Sequence, residues 1–386
     1  MIHICVSLCR CVYNLSVYIE TISLENFRNY KNFTFTLPKG IIHLHGENRS
    51  GKTSFIESIY VLSTMTPFHT SRLTDVISLD NDYAHVTGNI KTIKSEALLD
   101  ITMTTRGERV FKNFNKKITP LYKGVGMLKT VFLSPLDIDI IFGPPSTRRS
   151  FVNRSLGVED PVYMYYLKQY NHVLKQRNIL LKGIFPQNSD QIELWNIPLA
   201  RAGWEIILKR EKFIERLNKL IEEYYIKIGK RDEIVSIDYV SSFPRKIQSV
   251  KEYEDILRKY QTEDARQNST RFGPHRDDFK FNLNDKPFRD FGSFGQSRLF
   301  VIFLKLASWE FIKLNTNDSP VLLLDDVFIE IDSSRQTQLM NLIKSMEIEQ
   351  IVITGTVPVE YLPMEHRFNI KLNDNGTPVF INQSQT

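Results

Sequence analysis

The chain has 386 residues, 42% hydrophobic and 24% charged, with 50 Lys and Arg against 44 Asp and Glu for a formal charge of +6. That length and apolar content predict one large α/β body with a smaller inserted or appended part. All three cysteines, Cys5, Cys9 and Cys11, crowd into the first eleven residues, which excludes a core disulfide and a CxxC zinc site and suits a reducing cytosol. No stretch reaches the uninterrupted apolar length of a membrane-spanning helix. The segment from Met1 to Tyr13 is apolar, but Arg10 interrupts it and no cleavage signature follows, so residues 1–17 read as an N-terminal extension.

The positive excess favours an anionic partner such as nucleic acid, and it is concentrated. Between Thr105 and Thr130 stand Arg106, Arg109, Lys112, Lys116, Lys117, Lys123 and Lys129 against Glu108 alone. The rest of the chain is close to neutral.

From Val17 the sequence alternates as strands do, in "VYIETISLENF", "NFTFTL" and, after a Pro-Lys-Gly turn, "GIIHLHG". A helix is predicted from Lys52. "AHVTGNIKT", "EALLDITMTT" and "ERVFKNF" predict an antiparallel subsheet beside a parallel core, and this subsheet carries the basic cluster. From Ser146 to Thr270 helical periodicity takes over, predicting an arm that Pro161, Pro186, Pro198 and Pro244 break into pieces too short for a coiled coil. Strands resume with "FKFNL", and the helix opening at "SFGQSRLF", the apolar strand "PVLLLDD" and the strand "QIVITGT" follow. The predicted organisation is an α/β head in two halves, residues 18–145 and 271–386, separated by a helical arm at 146–270.

"GENRSGKT" satisfies GxxxxGK[ST] between a strand and a helix, the setting in which that pattern binds phosphate. The loop is Gly46, Glu47, Asn48, Arg49, Ser50, Gly51, Lys52 and Thr53, with Ser54 beginning the helix proper. Its glycines let backbone amides converge on phosphate oxygens at a helix N-terminus, Lys52 neutralises the β- and γ-phosphates, and the Thr53 hydroxyl ligates Mg²⁺. In "VLLLDD" the apolar run predicts a central parallel strand presenting Asp325 to the Mg²⁺ and Asp326 as general base toward an attacking water. Asp326 is one methylene shorter than a glutamate, a reach of roughly 1.5 Å. Misplacement on that scale costs about a hundredfold in rate, so slow turnover is predicted.

Ser293, Gly295 and Gln296 form a second small-residue ledge at a helix N-terminus, either a phosphate site or the cap of a core helix. The combination of phosphate loop, Ser-x-Gly-Gln and hydrophobic-Asp-Asp resembles the ATP-binding-cassette superfamily, and "LENFRNYKN", "LKQRNILLK" and "GPHRDDFKF" sharpen the resemblance to the RecF family from Tyr18 onward.

That resemblance implies an ABC-type ATPase head with an inserted helical arm, and the cofactors ATP and Mg²⁺. It implies that Ser293, Gly295 and Gln296 reach the γ-phosphate bound by a second copy, that Arg28 and Asn29 touch nucleotide phosphate, that Glu330 and Asp332 cross the dimer interface, and that Arg148 and Arg149 tie head to arm. The implied partners are gapped or junction DNA, a homodimer, recombination mediator proteins and the RecA recombinase; the charge of Arg106, Arg109, Lys112, Lys116 and Lys117 reads either as a contact surface for duplex backbone or as a solvated hairpin. His275 to Asp278 read either as part of this machinery or as a turn held by internal ion pairs. The chain departs from the pattern at Arg49 inside the loop, at Leu136 where an acid is usual, and after "IVITGT", where transport cassettes place a histidine. The alternative is an ATPase subunit of another SMC-like or transport complex.

Overall fold

The computed structural model describes residues 17–68, 70, 72–91, 96–183, 189–328, 333–356 and 366–383. The three cysteines, Pro186, Glu330 and Asp332 lie outside the described residues.

Strand β1 (Tyr18–Phe27) turns at Arg28 into β2 (Tyr30–Thr36), and β3 (Gly40–His45) leads through the phosphate loop into helix α1 (Lys52–Thr64). There follow β4 (Tyr83–Lys91), β5 (Glu96–Thr104), β6 (Arg109–Asn113), β7 (Lys116–Lys117) and β8 (Thr130–Leu133). The arm comprises α2 (Asp139–Phe142), α3 (Pro145–Glu159), α4 (Pro161–Leu181), α5 (Ser189–Lys227), strand β9 (Val235–Val240), α6 (Val250–Lys259) and α7 (Gln261–Arg266). The second half supplies β10 (Asp278–Leu283), β11 (Lys286–Pro287), α8 (Phe288–Phe291), α9 (Phe294–Thr316), β12 (Val321–Leu324), α10 (Ser333–Ser345), β13 (Gln350–Gly355), β14 (Arg367–Leu372) and β15 (Pro378–Asn382).

The central sheet runs β15-β14-β3-β13-β12-β8, parallel except for β15. Strands β8, β12 and β13 are buried along their whole length because both faces are covered there, whereas β14 and β15 are part-exposed. Leu322, Leu324, Ile351 and Ile353 enter the core shared with α9 and the arm, while Val321, Leu323 and Val352 enter the core shared with α1 and the second sheet. That second sheet, β2-β1-β4-β5-β6-β7, is antiparallel throughout, as predicted. Gln350 fastens the two together: its buried amide accepts from Ile19 N at 2.9 Å and donates to Ile19 O at 2.9 Å and Pro38 O at 3.0 Å.

The arm differs from the sequence expectation in two respects. Pro161 opens α4, but Pro198 lies inside the single 39-residue α5 without ending it. A proline interrupts a helix by freeing the carbonyl four residues earlier; that residue, Leu194, is 74% exposed, so water can serve the freed group. The arm also contains β9, which pairs in full register with β10.

Candidate nucleotide-binding site

Three adjacent strands, β3, β13 and β12, end side by side, and their C-terminal edges converge on one cleft. Ligand sites form at this edge of a parallel sheet because loops and helix N-termini gather there. The cleft has a volume of about 670 Å³ and is lined by Arg28, Asn29, Asn48, Arg49, Gly51, Lys52, Thr53, Ser54 and Asp326 with a wall from Thr74 to Leu79.

The loop needs its glycines. Gly46 and Gly51 have φ of 153° and 106°, and a Cβ on them would stand 2.3 Å from Ile370 O and 2.7 Å from the Pro378 ring. Only glycine permits both the torsion and the approach. Arg49 also takes a positive φ of 67° and stays exposed at the rim. Glu47 contributes its carbonyl: the Lys52 ammonium donates to Gly46 O at 2.8 Å and Glu47 O at 2.7 Å. Burial pushes Lys52 below the ordinary lysine value while Asp326 and Asp325 pull it back.

Thr53 and Asp325, 272 positions apart, meet with the Thr53 hydroxyl donating to Asp325 Oδ1 at 3.0 Å. Thr354 at the end of β13 completes the cluster, donating to Asp325 Oδ1 at 2.7 Å and accepting from Asp326 N at 3.0 Å. Sequence reasoning missed Thr354, although it looked for a histidine after this same strand. Asp326 has φ of 50°, a strained torsion for a non-glycine residue, which that hydrogen bond helps to hold. Burial raises its carboxyl above the usual range, with Lys52 opposing.

Asp326 Oδ1, Ser50 Oγ and Asn29 Oδ1 are buried without hydrogen-bond partners among the described residues. A cradle with unpaired polar atoms, one ammonium and a Thr–Asp pair fits a nucleotide triphosphate with Mg²⁺, a cation held by few protein oxygens. Arg28 lines the cleft and is held there by internal bonds, donating to Glu57 Oε2 on α1 at 2.8 Å and to Asp75 O in the cleft wall at 2.6 Å. Glu57 and Asp75 were not anticipated.

Ser293, Gly295 and Gln296 do not line this cleft. Ser293 caps α9 by accepting from Gln296 N at 3.2 Å, and Gln296 returns the bond from Ser293 N at 2.9 Å. This capping box leaves the first-turn amides of Phe294 and Gly295 without intrahelical acceptors. The ledge is flanked by Phe291 and Phe294, 61% and 56% exposed.

The structure divides the basic cluster. Arg106 stands exposed at the β5–β6 turn, whereas Lys112, Lys116 and Lys117 gather at the other end of β6, where Lys112 faces Lys117. Arg109 shares the inward face with buried Phe111 and donates to Met65 O at 2.8 Å; Lys129 pairs with Asp318 at 2.8 Å. Arg148 forks onto Asp278 at 2.7 and 2.9 Å, and Arg149 donates to Asp277 O at 2.9 Å, so both join α3 to the entry of β10. His275 and Asp277 are likewise engaged internally, with Tyr170, Tyr239 and Ser242. At the "SPLD" turn Leu136 is 59% exposed, and Asp137 instead pairs with Lys305 at 2.6 Å.

A phosphate loop on a parallel sheet beside an antiparallel one, with a signature ledge opening the long core helix, defines an ABC-type ATPase head. Residues 18–377 match the family described as RecF/RecN/SMC N terminal domain. A DNA replication and repair protein RecF from Pediococcus pentosaceus is 34% identical over 92% of this chain and 97% of its own length. A structure of the recombination mediator protein RecF with ATP, of the RecFOR pathway, superposes with a TM-score of 0.86 at 30% identity, covering 95% of this chain and 98% of the other. The SMC head domain from Pyrococcus furiosus shares the fold, with a TM-score of 0.55 at 14% identity and coverage of 96% and 97%. The chain belongs to the RecF/RecN/SMC family and, within it, to the RecF proteins.

Proposed function

We propose that this chain is an ATP-dependent DNA-binding protein of replication and recombinational repair. Two copies close around two nucleotides, hold gapped or junction DNA, assist the loading of RecA recombinase with mediator partners, and release through slow hydrolysis of ATP. The observation that carries the reading is the pairing of a complete phosphate cleft in one chain with an exposed Ser293–Gln296 ledge outside that cleft. The similarity to replication and repair proteins supports the biological role, and the similarity to a RecF that holds ATP supports the nucleotide.

In this reading Lys52 and the loop amides hold the β- and γ-phosphates, and Thr53 with Asp325 holds Mg²⁺. The bound Mg²⁺ supplies neutralisation of charge on the transferring phosphoryl group. Asp326 orients water and takes its proton at Oδ1, while Thr354 fixes the Asp325–Asp326 backbone. Ser293, Gly295 and Gln296 of a second copy close the site, so nucleotide stabilises the dimer only by as much as it prefers the closed form.

The test is mass measurement by light scattering with ATP and Mg²⁺, with ADP, and with neither, with and without gapped DNA. Dimer is expected with ATP alone of the three. A monomer at saturating ATP, even with DNA, overturns the proposal.

A further inference from the structure

A second cavity, of about 450 Å³, lies between the antiparallel sheet and the arm. It shares no lining residue with the nucleotide cleft. Five cations face it: Arg109 from β6, Arg149 and Arg154 from α3, Lys168 from α4 and Arg210 from α5; among the described residues no Asp or Glu lines it.

The hydrogen bonds of these cations run to neutral acceptors. Arg109 donates to Met65 O at 2.8 Å, Arg149 to Asp277 O at 2.9 Å, and Arg154 to Ser150 O and the Tyr60 hydroxyl, both at 3.2 Å. Arg210 donates to Pro274 O at 2.7 Å and Asn153 Oδ1 at 2.8 Å, with the Asp277 carboxylate 3.9 Å away and already accepting from Tyr239 and Ser242. Lys168 has neither hydrogen bond nor ion pair among the described residues. Nearby arginines outside the cavity are matched differently: Arg148 forks onto Asp278, and Arg177 meets Asp264 at 2.8 Å. Burial and the charge of Arg210 depress Arg149, with the Asp278 and Asp277 carboxylates opposing. Five cations face the cavity and the Asp277 carboxylate stands 3.9 Å from one of them, an excess of positive charge that attracts an anion.

Part of the remaining wall is apolar, built from Leu121, Tyr122, Val125, Val158, Met164 and Leu167, and the rest carries neutral polar groups such as Asn153, Asn171 and His275. Small-ligand pockets begin at about 300 Å³, so this cavity admits a nucleotide but no duplex. Arg109 lies on the same strand as Lys112 but on its opposite face, so the cavity and the basic hairpin flank β6 from its two sides.

We propose that the cavity takes one unpaired nucleotide of a bound DNA strand, with its phosphate on the cations and its base against the apolar wall. This rests on the reading of the chain as a DNA-binding protein. A free nucleotide offers the same chemistry, and the experiment separates the two.

Binding of 5′-phosphorylated dithymidylate, of thymidine monophosphate and of a blunt duplex is measured by calorimetry in a Lys52→Ala background, which removes the phosphate loop as a competitor. The dinucleotide is expected to bind, and Lys168→Glu, which breaks no bond within the protein, weakens it at least tenfold. Duplex affinity stays within twofold in Lys168→Glu and falls in the triple reversal of Lys112, Lys116 and Lys117 to Glu, which leaves dinucleotide binding intact. Dinucleotide affinity unchanged by Lys168→Glu, or absent altogether, overturns the proposal. Thymidine monophosphate binding as tightly as the dinucleotide assigns the cavity to free nucleotide and overturns the strand reading. Should wild-type protein bind neither duplex nor gapped DNA, it is the reading of the whole chain that fails.

Discussion

The phosphate loop and the Ser293–Gln296 ledge use the same ingredients, a helix N-terminus preceded by small residues, and differ in what encloses them. Around the loop, Gly46, Ser50, Gly51 and Lys52 are buried, and strands β3, β13 and β12 deliver its partners from three parts of the chain. The ledge is capped locally by Ser293 and Gln296, leaves the Phe294 and Gly295 amides without intrahelical acceptors, and stands beside two exposed phenylalanines. One region is a finished cradle and the other a finished surface. Long-range convergence builds the phosphate cleft, and local capping builds the ledge.

Four changes would break or sharpen that contrast. Asp326→Asn should lower hydrolysis about a thousandfold, the scale of a lost general base, while ATP-dependent dimer persists. Because Asp326 must be ionised to act and burial raises its carboxyl, wild-type hydrolysis should fall with decreasing pH before ordinary carboxylates titrate, as a steady-state pH profile will report. Lys52→Ala should weaken ATP about a hundredfold, measured by calorimetry on the monomer, since charged hydrogen bonds to phosphate are lost. Ser293→Arg should leave monomer affinity for ATP within about twofold yet weaken ATP-dependent dimerisation about tenfold or more by light scattering. Lost affinity in the monomer would place the ledge inside the cradle and dissolve the distinction.

The smallest effect concerns the enclosure of the cradle. His43 on β3 is fully buried with both ring nitrogens unpartnered among the described residues, and burial lowers it to about 3. The unfolded chain protonates near pH 6.5 and the folded one refuses that proton. The stability is therefore present above pH 6.5 and is lost as the pH falls toward 3. His43→Leu should recover about 1–2 kcal/mol at pH 5 relative to pH 7, read from urea midpoints at the two pH values.

The loop, the Asp325–Asp326 pair and the ledge were legible because each is a local pattern with a local physical demand: positive φ at Gly46 and Gly51, an apolar run ending in acids, a capping box. Thr354 was not, because a threonine after a strand is unremarkable until the sheet order sets β13 between β3 and β12. Arg28 was visible, but its tether to Glu57 depends on how α1 packs beneath the β1–β2 turn. The two sheets were readable from alternation against continuous apolar runs. Strand β9 was hidden by the helical periodicity on either side of it, and Pro198 suggested a break that its position on α5 does not require. The basic cluster was a true feature of composition, yet strand alternation, invisible to a count of charges, turns Arg109 away from Lys112.

Gln350 carries a consequence for how the parts communicate. One amide clasps the start of β1 and the turn before β3 through three hydrogen bonds that must all give way before the antiparallel sheet can tilt on the central one. The hairpin of Lys112, Lys116 and Lys117, whose first strand lies three places from β1 in the same sheet, is thereby tied to the sheet that carries the phosphate loop.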